Sequence, residues 1–312
     1  MQGVQLVKPV YFDPALLATV DRAGQLFDDV ALAPPVPLYR FTAGGDVPRI
    51  YFKKSPVRTF ASVTSIISAT TPTSPFLTKW VGQMGLRQAE QYRDARAAFG
   101  TLLHTVFGVF LVERKFDLAT VQSVVDLYVQ EENLTCDVGT WSDELKSALV
   151  GLADFVRDVN LRPVGIELPF ASDALGWAGS IDLVALVDLK RRKDVLALID
   201  FKSGDFHEAA EVQVGAYRML FNEAYPMSPI TDLFLFGPKS FDEGSNVRYR
   251  LKNITESPLK GLMPNLLEQF LVRNPKRDPV LEISDATISL DADHDGLVNY
   301  SPIEKIIERL DQ

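Results

Sequence analysis

GSIDLVALVDLKRRKDVLALIDFKSGDFHEAAEVQVGAY, residues 179–217, decides how this chain is read. Two apolar runs flank the charged segment LKRRKD, a natural hairpin connection between two strands. Asp182 stands near the start of the first run, and Asp200 closes the second. Lys202 follows two residues later, so on a strand Asp200 and Lys202 project from one face. Folding the hairpin brings Asp182 within about a residue of register of Asp200. Carboxylates gathered in this way hold a hard divalent cation, and a lysine beside them steadies an anionic transition state. The plainer reading of Asp200 and Lys202 is a surface ion pair. Against it, the VLALI run before Asp200 carries no polar residue, which suits a buried strand better than a solvated edge.

Working outward, Glu167 lies in GIELPF, which reads as a preceding strand. His104 lies in AFGTLLHTVFGVFLVER, a helical pattern, where a lone histidine would ordinarily be a core residue. Gln213 and Tyr217 are four residues apart in AAEVQVGAYRMLF and share one face of a helix. That pair could equally be the polar edge of an amphipathic helix. His207 falls at the helix start and reads as solvated. The order is helix with His, strand with Glu, strand with Asp, strand with Asp-x-Lys, helix with Gln-x-x-x-Tyr.

This order resembles the RecB-like branch of the PD-(D/E)XK nucleases. The resemblance is carried by Gly100 and His104 in GTLLH, Glu167, Gly179 to Asp182 as GxxD, Asp200 to Lys202 as Asp-x-Lys, and Gln213 to Tyr217 as QhxxY. SVTSII at Ser62–Ile67, followed by Trp80 and the GTLLH helix, is similar to phage exonucleases and to the mitochondrial genome maintenance exonuclease. Each motif is weak alone; five in order carry more weight. The resemblance implies that His104, Asp182, Asp200 and the Phe201 carbonyl ligate Mg2+ or Mn2+. It implies that Lys202 activates water or stabilises the pentacoordinate phosphate, and that Glu167 is an outer ligand or orients a metal-bound water. Gln213 and Tyr217 would position the nucleic-acid strand or buttress the lysine. The implied activity is exonucleolytic hydrolysis of linear DNA from a free end, in phage-type recombination, replication or processing. A recombination or replication protein is an implied partner. A flap or branched-DNA endonuclease and a non-catalytic binding module are the alternatives; no acidic ligand and no lysine is missing to mark the latter.

Composition sets bounds. The 312 residues are 46% hydrophobic and 23% charged, as in ordinary globular proteins. No membrane association is expected, since no apolar run reads as a span and the N-terminus lacks a basic-then-apolar signal; a cytoplasmic setting is expected, the host's if the gene is a phage's. One cysteine, Cys136, excludes an internal disulfide framework and a four-cysteine iron–sulphur cluster. No GxxxxGK[ST] loop supports a fused helicase motor. A net charge of −9 argues against broad DNA coating, so phosphate contacts are expected from local basic groups. The candidates are Arg49, Lys53, Lys54 and Arg58; Arg87, Arg93 and Arg96; and Arg248, Arg250 and Lys252. Lys190–Lys193 reads as a solvated hairpin tip.

The expected fold is α/β, a restriction-endonuclease-like core with a mixed central sheet between helices. The helical N-terminal half would form one wall of a cleft. Residues 1–57 read as an N-terminal appendage ending in a hairpin, 58–255 as the nuclease core, and 256–312 as a C-terminal helical appendage. RIYFKK and VRTFASVTSII carry strand patterns, residues 76–115 are mostly helical with an interruption at Gly82–Gly85, and ITDLFLFGP and NVRYRLKN read as neighbouring strands. Asp291–Pro302 begins like an EF-hand loop, then places Pro302 at the bidentate acid position, so an Asp/Gly turn is expected.

Overall fold

The computed structural model describes residues 11–12, 39–41, 50–54, 57–72, 75–239, 248–273 and 281–282. The elements run β1 (Tyr11–Phe12), β2 (Tyr39–Phe41), β3 (Ile50–Lys54), β4 (Val57–Ser62), α1 (Val63–Thr70), α2 (Pro75–Met84), α3 (Leu86–Glu113), α4 (Val121–Glu131) and α5 (Trp141–Asp158). The hairpin region follows as β5 (Arg162–Ser172), β6 (Trp177–Leu189) and β7 (Arg192–Phe201), then α6 (Glu208–Ala224), β8 (Asp232–Pro238), β9 (Tyr249–Asn253), α7 (Met263–Arg273) and β10 (Leu281–Glu282). The Asp291–Pro302 segment lies outside the described residues.

All the strands join one mixed sheet, as the alternation of apolar runs and amphipathic helices leads one to expect. β5, β6 and β7 form an antiparallel meander, and β8 lies parallel to β7 after the α6 crossover. Alternate side chains of each strand enter opposite core layers. Leu196, Leu198, Leu233 and Leu235 pack under α1, α6 and α7, with Ile66, Phe221 and Phe270. Ala197, Ile199, Phe234 and Phe236 pack under α3, α4 and α5, with Phe107, Val125 and Leu149. Burying each large side chain of this kind contributes about 1.5–3 kcal/mol.

One connection opens the sheet. β4 runs parallel to β6, but only over Ala61↔Trp177 and Ser62↔Ala178. β7 pairs on that same side of β6 from Leu183↔Ile199 onward. Among the described residues, 179–181 therefore have no partner strand on this side, and a cleft forms where β4 and β7 part. SVTSII, expected as strand, leaves the sheet here. The Ser62 hydroxyl accepts from the Ser65 amide at 3.0 Å and starts α1, so an N-cap outweighs the β-branched residues that follow.

Two further expectations change. The sheet crosses the boundary placed at residue 57, because β3 pairs with β4 from Ile50↔Ala61 to Lys54↔Val57. β1 also pairs with β5, so these N-terminal strands extend the central sheet. α3 is long and apolar enough, by composition, to cross a membrane, although no such run was expected. Its apolar residues Leu102, Leu103, Val106 and Phe107 are instead buried in the core layer beneath α5.

Candidate active site

The cleft gathers its side chains from strand register first. Ile166↔Leu183 and Leu168↔Ile181 flank Glu167 and set it opposite Asp182. Leu183↔Ile199 sets Asp182 opposite Asp200 on the other side. Three carboxylates thus form a row across β5, β6 and β7. Glu167 joins the row through an unusual backbone, with φ of +52° inside a strand. This left-handed conformation costs roughly 1–2 kcal/mol for a residue with a side chain. It also reverses the strand's alternation: Ile166 belongs to the α3–α5 layer, while Leu168, two residues on, belongs to the α6 layer. Such strain is typical of functional positions.

α3 supplies the facing wall. His104 Nδ1 lies 3.5 Å from Glu167 Oε1 and 3.4 Å from Asp182 Oδ1. His104 Nε2 lies 3.1 Å from the Phe201 carbonyl oxygen. The Phe201 amide donates to Asp182 Oδ2 at 2.8 Å. Donor atoms of His104, Glu167 and Asp182 all lie within 4.8 Å of one another. Hard carboxylate oxygens with one imidazole, and a carbonyl beside them, suit a divalent cation. Glu167, expected as an outer ligand, is a full member of this donor group.

Asp200, expected as a direct ligand, faces a different set of partners. Its carboxylate is wholly buried, and Oδ2 lies 2.6 Å from Lys202 Nζ. Gln213 links the pieces: its Nε2 donates to Asp200 Oδ1 at 3.2 Å and to the Tyr217 hydroxyl at 3.1 Å, while its Oε1 accepts from Lys202 at 3.3 Å. The QhxxY helix therefore buttresses the lysine, one of the two roles the resemblance implies. Burial pushes the Asp200 carboxyl up to about 6; Lys202 pulls against this and the charge of Asp182 adds to it. Burial works against the Lys202 ammonium too, but Asp200 and Asp182 outweigh it and hold the lysine above its ordinary value. Burial likewise opposes the Asp182 charge, and His104, Lys202 and the Phe201 amide reverse the balance, leaving this carboxyl below the usual range. Burial raises Tyr217 well above an ordinary phenol, so it remains a neutral hydroxyl.

His104, Glu167, Asp182, Lys202, Gln213 and Tyr217 line a cavity of about 210 Å3 together with Tyr51, Thr64, Ala97, Gly100 and Thr101, and Asp200 lies buried behind it. Tyr51 is a site-lining residue that no local signal marks, and Thr64 lies in SVTSII, a motif to which the resemblance assigns no role. The pairing of β3 through β4 to β6 brings both here. Gly179 has a specific steric task. A Cβ at this position would lie 2.4 Å from Tyr217 Cε1, so only glycine lets the tyrosine ring lie against β6.

The basic candidates divide. Arg93 lies about three turns before His104 on the same line of α3 and is exposed beside Asp94, to which it pairs at 3.3 Å. Arg87 is exposed but lies off that line by roughly a quarter turn. Arg96 does not face the cleft as expected. Its guanidinium pairs with Glu144 at 2.8 Å and lies over the Phe99 ring, joining α3 to α5. The third cluster is internally neutralised: Arg250 pairs with Asp205, Lys252 with Glu211, and Arg248 lies 3.7 Å from Asp154. Arg192, at the hairpin tip expected to be solvated, donates two hydrogen bonds to the buried Asp232. Side chains of Arg49, Lys53, Lys54 and Arg58 lie outside the described residues.

Residues 75–277 match the family model of the PD-(D/E)XK nuclease superfamily. The chain matches no curated protein.

The Gly179 contact gives a direct test of the buttress. Gly179→Ala must displace the Tyr217 ring, and with it Gln213 and Lys202. The expected result is a fall in turnover of roughly tenfold or more with a lowered melting temperature, and partial recovery in the double variant with Tyr217→Leu. Wild-type turnover in Gly179→Ala would show that the ring does not set the lysine.

Proposed function

The chain belongs to the PD-(D/E)XK nuclease superfamily, and from that premise we propose a Mg2+- or Mn2+-dependent DNA exonuclease of the RecB-like branch. It would shorten linear DNA from a free end, in phage-type recombination, replication or processing. The observation that carries the reading is the row of Glu167, Asp182 and Asp200, with His104 closing on it from α3 and Lys202 held beside it. A surface ion pair has no reason to be buried, strained and supported in this way.

His104, Glu167, Asp182 and the Phe201 carbonyl would hold the cation. When bound, it supplies Lewis-acid stabilisation of the phosphoryl oxygens and a lowered pKa for its water. The protein's own part is positional and electrostatic. Asp200 and Gln213 grip Lys202 from two sides, fixing the ammonium at the cavity wall. Held in this way, the ammonium would serve as a fixed cation for the charge that develops on the phosphate. Of the two roles implied by resemblance, the geometry supports stabilisation. Arg93 would meet the strand's phosphates outside the cavity.

Lys202→Ala should lower the single-turnover rate by ~10^2–10^3 while substrate affinity changes little. A well-folded Lys202→Ala protein with the wild-type rate would remove the lysine from the chemistry.

Calorimetric titration with Mn2+ checks the ligand set. His104→Ala, Glu167→Gln and Asp182→Asn should each weaken binding by more than about tenfold, and should lose most of the metal-induced rise in melting temperature. Wild-type affinity in Glu167→Gln would return that residue to an outer role.

End dependence separates exonuclease from endonuclease. Linear single-stranded DNA should be degraded progressively, while a covalently closed single-stranded circle of the same sequence survives. Equal rates on the two forms would select the endonuclease.

A further inference from the structure

The outer half of α3 carries a feature that the metal-facing cavity does not use. Tyr92 is 54% exposed. The tyrosine is supported from one side: Trp80 of α2 meets it edge to face, with ring centroids 5.6 Å apart and planes at 63°. Tyr92 also lines a cavity of about 490 Å3, whose wall includes Gln91, Asp94, Asn133, Thr135 and Asp137 together with the apolar Ala95, Leu134 and Cys136. An aromatic wall with carboxamides, a hydroxyl and carboxylates around it is a particular chemistry. The carboxylates repel phosphate. The amides and carboxylates can hydrogen-bond the amino and carbonyl edges of a heterocycle, while the ring offers a stacking face.

Charge points the same way. The chain carries a net charge of −9, and Arg96, Arg250 and Lys252 are taken up by ion pairs within the protein. These three described cations are engaged within the protein, and stacking on an exposed ring would hold a strand without drawing on charge. Tyr92 stands on the helix that carries His104, about 18 Å before it at ~1.5 Å per residue and about a third of a turn around from it. Arg93 adjoins it on the line that leads to His104.

We propose that the cavity beside Tyr92 is a nucleobase subsite, in which a base of a single strand stacks on the Tyr92 ring at a fixed distance from the point of cleavage. The inference rests on the nuclease reading of the metal-facing cavity and deepens it: the substrate is single-stranded where it crosses α3, because a base paired in a duplex presents no open face to the tyrosine. Trp80 backs the ring and keeps it from folding onto the helix. Gln91 and Asn133 meet the base edge, and Arg93 meets a neighbouring phosphate.

The test uses the full-length protein in metal-free buffer and single-stranded oligonucleotides long enough to reach from the cleft past Tyr92. A fluorescent adenine analogue is moved one position at a time along the strand. Wild-type protein should quench it strongly at one position, set at a constant distance from the end; equal emission at every position overturns the proposal without any variant. Tyr92→Ala should abolish that quenching and raise Kd roughly tenfold, whereas Tyr92→Phe keeps both. Unchanged Kd and quenching in Tyr92→Ala also overturn it. Failure of the nuclease reading would show separately, as absence of metal-triggered cleavage by a wild-type protein that still quenches the analogue.

Discussion

A slip of one residue in β6 against either neighbour would turn Asp182 to the opposite face of the sheet. Register is therefore the constraint on which the site depends. It is fixed by the apolar alternation on both sides of Asp182: Val184 and Leu186 must enter the α6 layer, and Leu183, Ala185 and Val187 the α3–α5 layer. A slip would expose neither set to solvent, since both faces are covered, but it would mispack two layers at once. The same alternation that builds the core thus aligns Asp182 with Asp200, and the left-handed backbone at Glu167 brings the third acid into the row.

Alignment has a cost, because buried carboxylates side by side repel and lack water. The structure meets it with partners on every side. Lys202 and Gln213 serve Asp200, the Phe201 amide and His104 serve Asp182, and Ser180 donates to Glu167. The remaining imbalance is what a divalent cation would relieve, so ligand binding and local stability draw on the same charges. Removing one partner leaves another group buried and uncompensated, which is more damaging than the removal of an exposed ion pair.

Much of this was legible in the chain. The hairpin, the opposition of Asp182 and Asp200, the shared face of Asp200 and Lys202, the pairing of Gln213 with Tyr217, and the helical setting of His104 all follow from local periodicity and turn chemistry. What was not legible depends on tertiary context. Tyr51 and Thr64 reach the cavity through long-range strand pairing. Glu167 enters the donor group because its backbone takes a conformation that no propensity favours. Arg96 turns to Glu144 because α5 lies beside α3, and a helical face read in isolation does not say which neighbour it meets. SVTSII reads as strand by composition, and only the capping bond at Ser62 shows where the strand stops.

The gap between β4 and β7 has a consequence for how the molecule is made. β7 joins β6 through a two-residue turn and can pair at once, but β4 reaches β6 only after the whole helical wall has been laid down between them. Pairings so distant in sequence carry a large loop-closure entropy and form late. Tyr51 and Thr64 come into place only with that closure. The enclosure of the acidic row thus rests on a pairing far more distant in sequence than the one that aligns Asp182 with Asp200.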